Sequence, residues 1–195
     1  MWLNEITIVL GSGSPRRKEL LEKMGLSIVL DVRPIEEALP SSIHADEAAA
    51  YLARLKASAF ATNKLKSDEV LITADTVVVV NDKVLGKPTN EKEANSILNQ
   101  LSGNVHQVIT GVFLATNERE IVLSVKTDVW FNSLSEEEIN HYVSTYAPMD
   151  KAGAYGIQEW IGKIGIRKID GCFYNVMGLP TSEVYIALKE LIKKK

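Results

Sequence analysis

The chain has 195 residues, with 22 Lys plus Arg against 25 Asp plus Glu and a formal charge of −3, so it lacks the cationic surplus with which a general nucleic-acid binder displaces counterions; any anion it binds is met locally. At 46% hydrophobic and 24% charged the composition is that of a globular protein, long enough to bury roughly 70% of its unfolded surface in one compact domain or two closely joined lobes. No apolar run approaches the ~18 residues of a membrane span, Met1-Trp2-Leu3-Asn4-Glu5 has no basic stretch leading into a secretory segment, and the single Cys172 allows neither an internal disulfide nor a cysteine zinc site, so the expected compartment is the cytoplasm.

In chain order, Ile6 to Leu10 is a β-prone apolar run closed by Gly11-Ser12-Gly13-Ser14-Pro15, after which Leu20, Leu21 and Met24 recur at helical spacing. This reads strand, tight loop, helix, with Ser14 suited to cap the helix and Pro15 to its first turn. A second strand is expected at about Leu26 to Asp31, then an irregular polar stretch from Arg33 to His44. An Ala-rich helix is expected from about Asp46 to Lys64, its stripe formed by Ala49, Leu52, Ala53, Ala57 and Phe60, with Lys56 inside that stripe. Val70 to Val80 reads as a strand buried on both faces, yet it carries Asp75 in its middle. Gly86-Lys87-Pro88 breaks the chain, and Glu91 to Leu101 reads as a short helix ended by Ser102-Gly103. Val105 to Ala115 and Ile121 to Phe131 form an expected hairpin. Ser135 and Glu138 make a capping box for a helix to about Thr145. A last strand is expected at about Lys163 to Ile169, and a C-terminal helix from Thr181 to Lys193. Interleaved strands and helices with one antiparallel hairpin argue for a mixed-sheet α/β protein.

Several residues carry chemical meaning. Backbone N–H groups at the Gly11–Lys18 strand-to-helix turn point outward with a positive dipole behind them. Arg16 and Arg17 sit in the first helical turn, where cations oppose that dipole unless an anion lies between, and a guanidinium fork suits phosphate oxygens. The segment is neither a Walker A loop nor a dinucleotide fingerprint. A Ser/Gly turn followed by a solvated basic face is the alternative. Asp75 inside Ile72-Thr73-Ala74-Asp75-Thr76-Val77-Val78 would lose much of its hydration, so it must be paired, hold a metal or titrate unusually; a turn after Ala74 is the plainer reading. Lys56 is explained either by function or by a snorkelling stem. Lys87 sits on a rigid turn, and Lys151 precedes small residues that let a backbone approach a ligand closely. Glu36 and Glu37, with Asp75 and Asp150, are hard-oxygen candidates for Mg²⁺, which takes one or two carboxylates plus substrate phosphates. His44, His106 and His141 share no metal-ligand spacing and read as structural or surface residues.

These blocks together resemble a known family, the Maf (septum formation protein) nucleotide pyrophosphatases. The likeness runs through Ser12-Gly13-Ser14-Pro15-Arg16-Arg17, Leu52-Ala53 with Lys56-Ala57, Thr73-Ala74-Asp75-Thr76-Val77-Val78, Gly86-Lys87-Pro88, Leu101-Ser102-Gly103 with His106 and Thr110-Gly111-Val112, Pro148-Met149-Asp150-Lys151 to Gly156-Ile157-Gln158, and Asn175-Val176-Met177-Gly178-Leu179-Pro180. The resemblance implies a mixed, strongly twisted central sheet flanked by helices, with two lobes and a cleft, similar to the inosine triphosphate pyrophosphatases. It implies hydrolysis of a nucleoside triphosphate to the monophosphate and pyrophosphate, dependent on Mg²⁺ or Mn²⁺, with Asp75 at the family's proton acceptor. The subgroup acting on dTTP and UTP carries the equivalents of Arg16, Thr76 and Gln158, unlike the subgroup preferring 7-methyl-GTP. Homodimers are common in the family. Two departures stand out: Tyr146-Ala147 precedes Pro148 where many members have Glu, and Glu159-Trp160 follows Gln158 where Gly is common, which would reshape the base pocket.

The expected reaction is therefore in-line attack of water on the α-phosphorus. Asp75 would position or deprotonate that water, and a divalent ion would be held by Glu37, Asp75 or Asp150. Arg16, Arg17, Lys56, Lys87 and Lys151 would neutralise the triphosphate, Ser12 would add a hydrogen bond, and Thr76 and Gln158 would read a pyrimidine base. Two other readings are a nucleotide-binding regulator of septum formation with incidental hydrolysis, and a phosphate-binding domain without turnover.

Overall fold

In the computed structural model, which describes residues 2–60 and 65–193, the apolar strand β1 (Thr7–Leu10) pairs in parallel on both sides. Its partners are β2 (Ser27–Leu30) and β3 (Glu69–Val80), with Thr7 opposite both Ser27 and Glu69. The remaining strands are β4 (Lys83–Leu85), β5 (Val105–Ala115), β6 (Glu120–Phe131) and β7 (Ile166–Asp170). The sheet runs β2-β1-β3-β5-β6-β7, with β4 antiparallel to β3 and β7 antiparallel to β6, which is the mixed sheet expected from the sequence. At its edge, β2 exposes about half of Val29 and Leu30. The helices are α1 (Pro15–Lys23), α2 (Ala45–Ser58), α3 (Glu91–Leu101), α4 (Glu136–Tyr146), α5 (Trp160–Gly165), α6 (Phe173–Met177) and α7 (Thr181–Leu191). Among the described residues, no helix is long and apolar enough to cross a membrane.

Two compact units share the chain. The first is Met1–Asp75, Thr110–Val125 and Gly178–Lys195; the second is Thr76–Ile109 and Lys126–Met177. Strands β3, β5 and β6 contribute residues to both.

In the first unit, the α2 stripe Ala49, Leu52, Ala53, Ala57 and Phe60 is buried as its spacing predicts, and Ala53, Ala57 and Phe60 pack with Val9, Leu71 and Phe113. The Thr73 hydroxyl donates to the Ala53 carbonyl at 2.7 Å, fastening β3 to α2. Gly111 on β5 allows the closest approach: a Cβ there would lie 2.2 Å from the Ala49 carbonyl. Helix α2 stops at Ser58, short of the predicted Lys64, and residues 61–64 lie outside the described ones. The physical stop is Arg33, whose Nη1 donates to the Ala59 carbonyl at 2.9 Å while its guanidinium covers the Phe60 ring.

The second unit is built around Leu98, Leu101, Val129, Phe131, Ile139, Tyr142 and Ile161. Its α3 has the predicted bounds, and α4 opens on the predicted capping box, Glu138 N–H to Ser135 Oγ at 3.2 Å and Ser135 N–H to Glu138 Oε2 at 2.7 Å. The strand expected from Lys163 begins only at Ile166. Residues Trp160–Gly165 coil into α5, because pairing with β6 starts at Phe131 opposite Ile166 and Ile161 is buried from a helical position. Periodicity does not show the short elements β4 and α6 or the 3-10 turns at Trp2–Glu5, Pro148–Asp150 and Ala152–Ala154. The β3–β4 turn does carry a signal, since Asn81 and Asp82 hold φ of 47° and 60°, the left-handed conformation these residue types tolerate. His106 is buried with its Nε2 2.8 Å from the Tyr155 hydroxyl and its ring edge-on to Phe131.

Two measurements follow. Gly111→Ala should destabilise the chain by about 3 kcal/mol in urea unfolding, since the added methyl meets backbone and not a movable side chain. Burial pushes the His106 pKa from 6.5 down to about 4, so the unfolded chain binds a proton that the folded ring refuses. Stability present above pH 6.5 is lost as pH falls toward 4, by roughly 3 kcal/mol for this group. His106→Asn should flatten that part of the pH dependence in unfolding titrations at pH 7, 5 and 4.

Candidate active site

The sequence-predicted residues are divided between the two units. In the first, the loop between β1 and α1 is pinned to β3 by the Gly11 N–H, 2.9 Å from the Ile72 carbonyl. Pro15 opens α1 as predicted, but Ser14 makes no side-chain cap; it is Ser12 Oγ that accepts the Ser14 N–H, at 3.4 Å. Arg17 is buried, and its guanidinium holds three acceptors at 2.9 Å each: Ser12 Oγ and the Ala74 carbonyl through Nη1, the Gly178 carbonyl through Nε. Burial lowers its pKa, opposed by the attraction of Asp75 and of Glu37 and aided by repulsion from Arg16. Expected as a phosphate fork, Arg17 is seen bracing loop, strand and the start of the C-terminal segment. Arg16 is half-buried on the preceding position of α1.

Asp75 follows Ala74 on β3 within a continuous strand, so no turn intervenes there. Its Oδ1 lies 2.5 Å from Lys56 Nζ, and Glu37 Oε2 lies 3.0 Å from the same nitrogen. The Asp75 and Lys56 side chains are 15% and 16% exposed, that of Glu37 49%. Lys56 therefore does not snorkel to water; it joins α2, β3 and the irregular stretch after β2. Each carboxylate meets Lys56 through one oxygen, and two hard-oxygen donors of this kind suit a divalent cation that completes its shell with phosphate and water. Among the described residues no group of three or more His, Cys, Asp and Glu side chains is placed to hold a metal ion.

In the second unit, the Gly153 N–H donates to the Gly86 carbonyl at 3.3 Å, tying the Pro148–Gly156 stretch to the turn that carries the exposed Lys87. Gly153 has φ 70° and a Cβ would strike Val78 at 2.7 Å, so glycine is required there. Asp150 is exposed, and Lys151 is buried. Lys151 Nζ contacts Asp150 Oδ1 at 2.8 Å and Glu159 Oε1 at 3.2 Å. Glu159 Oε2 in turn accepts the Tyr142 hydroxyl, and the Tyr142 oxygen accepts the Gly156 N–H at 3.0 Å. Gln158 Oε1 is buried and accepts no hydrogen bond among the described residues, which carries a desolvation cost. Thr76 is half-buried beside Asp75 on β3. In the sequence Glu159 stands out only as a departure from the usual Gly, and helical periodicity marks Tyr142 simply as core.

A mixed-sheet α/β protein with a loop-to-helix turn, a strand carboxylate on a lysine and a further set of cations defines a class suited to polyphosphate chemistry. Residues 7–191 match the family described as Maf-like protein, and the chain belongs to that family. It is 50% identical over 190 residues to a dTTP/UTP pyrophosphatase of Phocaeicola vulgatus, covering 97% of this chain and 98% of that protein. It is likewise 50% identical over 190 residues to a dTTP/UTP pyrophosphatase of Parabacteroides distasonis, with 96% and 97% covered, and 48% identical to one of Bacteroides thetaiotaomicron, with 97% and 98% covered. Among solved structures, the fold is similar to that of the Staphylococcus aureus Ham1 protein, with a TM-score of 0.51 at 17% identity, covering 96% of this chain and all of that one.

Because three carbonyl and hydroxyl acceptors converge on one planar guanidinium, Arg17→Lys should cost about 2 to 3 kcal/mol in urea unfolding. A single ammonium does not reach all three, and the midpoint should fall accordingly.

Proposed function

We propose that the chain is a cytoplasmic nucleoside triphosphate pyrophosphatase that converts dTTP, UTP and modified pyrimidine nucleotides to the monophosphate and pyrophosphate, with residues 1–195 working as one catalytic domain. The observation that carries the reading is Asp75: a carboxylate in the middle of a strand, held by Lys56 at 2.5 Å in a chain about half identical to named dTTP/UTP pyrophosphatases. Water attacks the α-phosphorus in line with the leaving pyrophosphate, and Asp75 orients it and takes its proton. Ser12, Arg16, Arg17 and Lys56, with Lys87 and Lys151, serve the phosphates, and Arg17 does so while bracing the loop. Thr76 and Gln158 read the base. The orphaned Gln158 amide oxygen supports that role, since a base N–H would satisfy it.

A divalent cation, Mg²⁺ or Mn²⁺, would be held by Glu37, Asp75 or Asp150, and when bound it supplies neutralisation of phosphate charge. The oxygens of Glu37 and Asp75 not engaged by Lys56 are the donors that fit it.

With dTTP and Mg²⁺, the wild-type chain should release pyrophosphate, and Asp75→Asn should lower kcat by on the order of 10³-fold while the nucleotide still binds. Unchanged turnover in that variant would sink the assignment of the base. Release of orthophosphate in place of pyrophosphate would move the attack to the γ-phosphorus.

A further inference from the structure

A buried ammonium is tolerable only if it is paired, and the quality of its partners decides how firmly it is held. The Lys151 side chain is 9% exposed and has two carboxylate partners of different kinds. Asp150, its neighbour in sequence, is 56% exposed, so water screens that contact. Glu159 is 20% exposed and is itself fixed.

That fixing has three parts. The Tyr142 hydroxyl, from the buried face of α4, donates to Glu159 Oε2. Burial above all, then the bond to Glu159, raises the Tyr142 pKa, so the phenol stays a donor at every physiological pH. The Gly156 N–H donates to the Tyr142 oxygen at 3.0 Å. Gly156 also leaves the space in which the Glu159 carboxylate lies, since a Cβ there would sit 2.8 Å from Glu159 Cδ. Glu159 stands at the cap position of α5 but makes no side-chain cap; its carboxylate turns to Lys151.

We propose that Glu159 is a positioning residue for the pyrophosphatase reaction: held by Tyr142 against Gly156, it fixes the Lys151 ammonium in the orientation in which it meets phosphate. This rests on the reading of Lys151 as a phosphate-binding group. Glu159 also follows Gln158 directly, so one backbone turn, closed by the Glu159 N–H on the Gly156 carbonyl at 3.0 Å, carries both the ammonium's holder and the base-reading amide.

The test has a structural arm and a kinetic arm. In ¹H–¹⁵N spectra of lysine ammonium groups, Lys151, assigned by its disappearance in Lys151→Met, should give an exchange-protected signal in the wild-type chain that is lost or strongly shifted in Glu159→Gln. A Lys151 signal identical in the two proteins overturns the proposal. In pyrophosphate release from dTTP, Glu159→Gln should lower kcat/KM by on the order of 10- to 100-fold, chiefly through kcat. In a Lys151→Met background the same change should cost no more than about 2-fold, because the group it positions is gone. An equal loss in both backgrounds means a general structural role and overturns the proposal. Tyr142→Phe, which keeps the ring and the core packing, should give a smaller loss of the same kind and serves if Glu159→Gln fails to fold. Absence of pyrophosphate release by the wild-type chain would overturn the function and leave the ammonium contact to be judged by its resonance.

Discussion

Placing a carboxylate halfway along a buried strand removes hydration that a partner must replace, and in the first unit an ammonium answers that demand at Asp75. The ammonium that answers it comes from α2, so α2 must lie close to the sheet. Gly111 permits that approach and the Thr73 hydroxyl ties it. The same ammonium gathers Glu37 from a stretch with no regular structure of its own. One residue before Asp75, the Ala74 carbonyl receives the buried Arg17 guanidinium, which in turn holds Ser12 and Gly178. Loop, helix, strand and the C-terminal segment are thus held by two cations that also feel Asp75.

The near-neutral total charge takes a different meaning once the partners are known. Lys56 and Lys151 are each held by two carboxylates, so these two cations are balanced locally within the protein. An anion that reaches these side chains meets cations already paired, so geometry counts for more there than a long-range field.

What the sequence made legible was local. The capping box at Ser135, the bounds of α3, the hairpin of β5 and β6 and the long β3 follow from periodicity and end signals that a few adjacent residues carry. Asp75 and Lys56 were visible because each interrupts an apolar pattern, and a charge in such a place needs a partner. The end of α2, the start of β7 and the short β4 and α6 were not visible in this way. The first depends on Arg33 reaching Ala59, the second on the strand β6 it pairs with, and the last two are too short to show a period. The bond between Tyr142 and Glu159 links the core face of a helix to a distant turn, and neither residue's own neighbourhood announces it. The family likeness covered the site residue by residue, and it was the departure from the family's pattern at Glu159 that the structure gave a physical meaning.

Strand β2 carries a consequence for the protein in bulk solution. Among the described residues it is the end strand of the sheet, and Val29 and Leu30 are half exposed, the features by which one chain recruits another into a growing stack. Only four residues long, it offers few rungs to a neighbour, and the ion pair of Arg33 with Asp31, 2.6 Å apart, stands just beyond its last residue. Charge at the end of a short apolar strand acts as a gatekeeper. The abrupt ending of β2 therefore limits what the open edge of the sheet offers to another chain, a restraint written into the length of one strand.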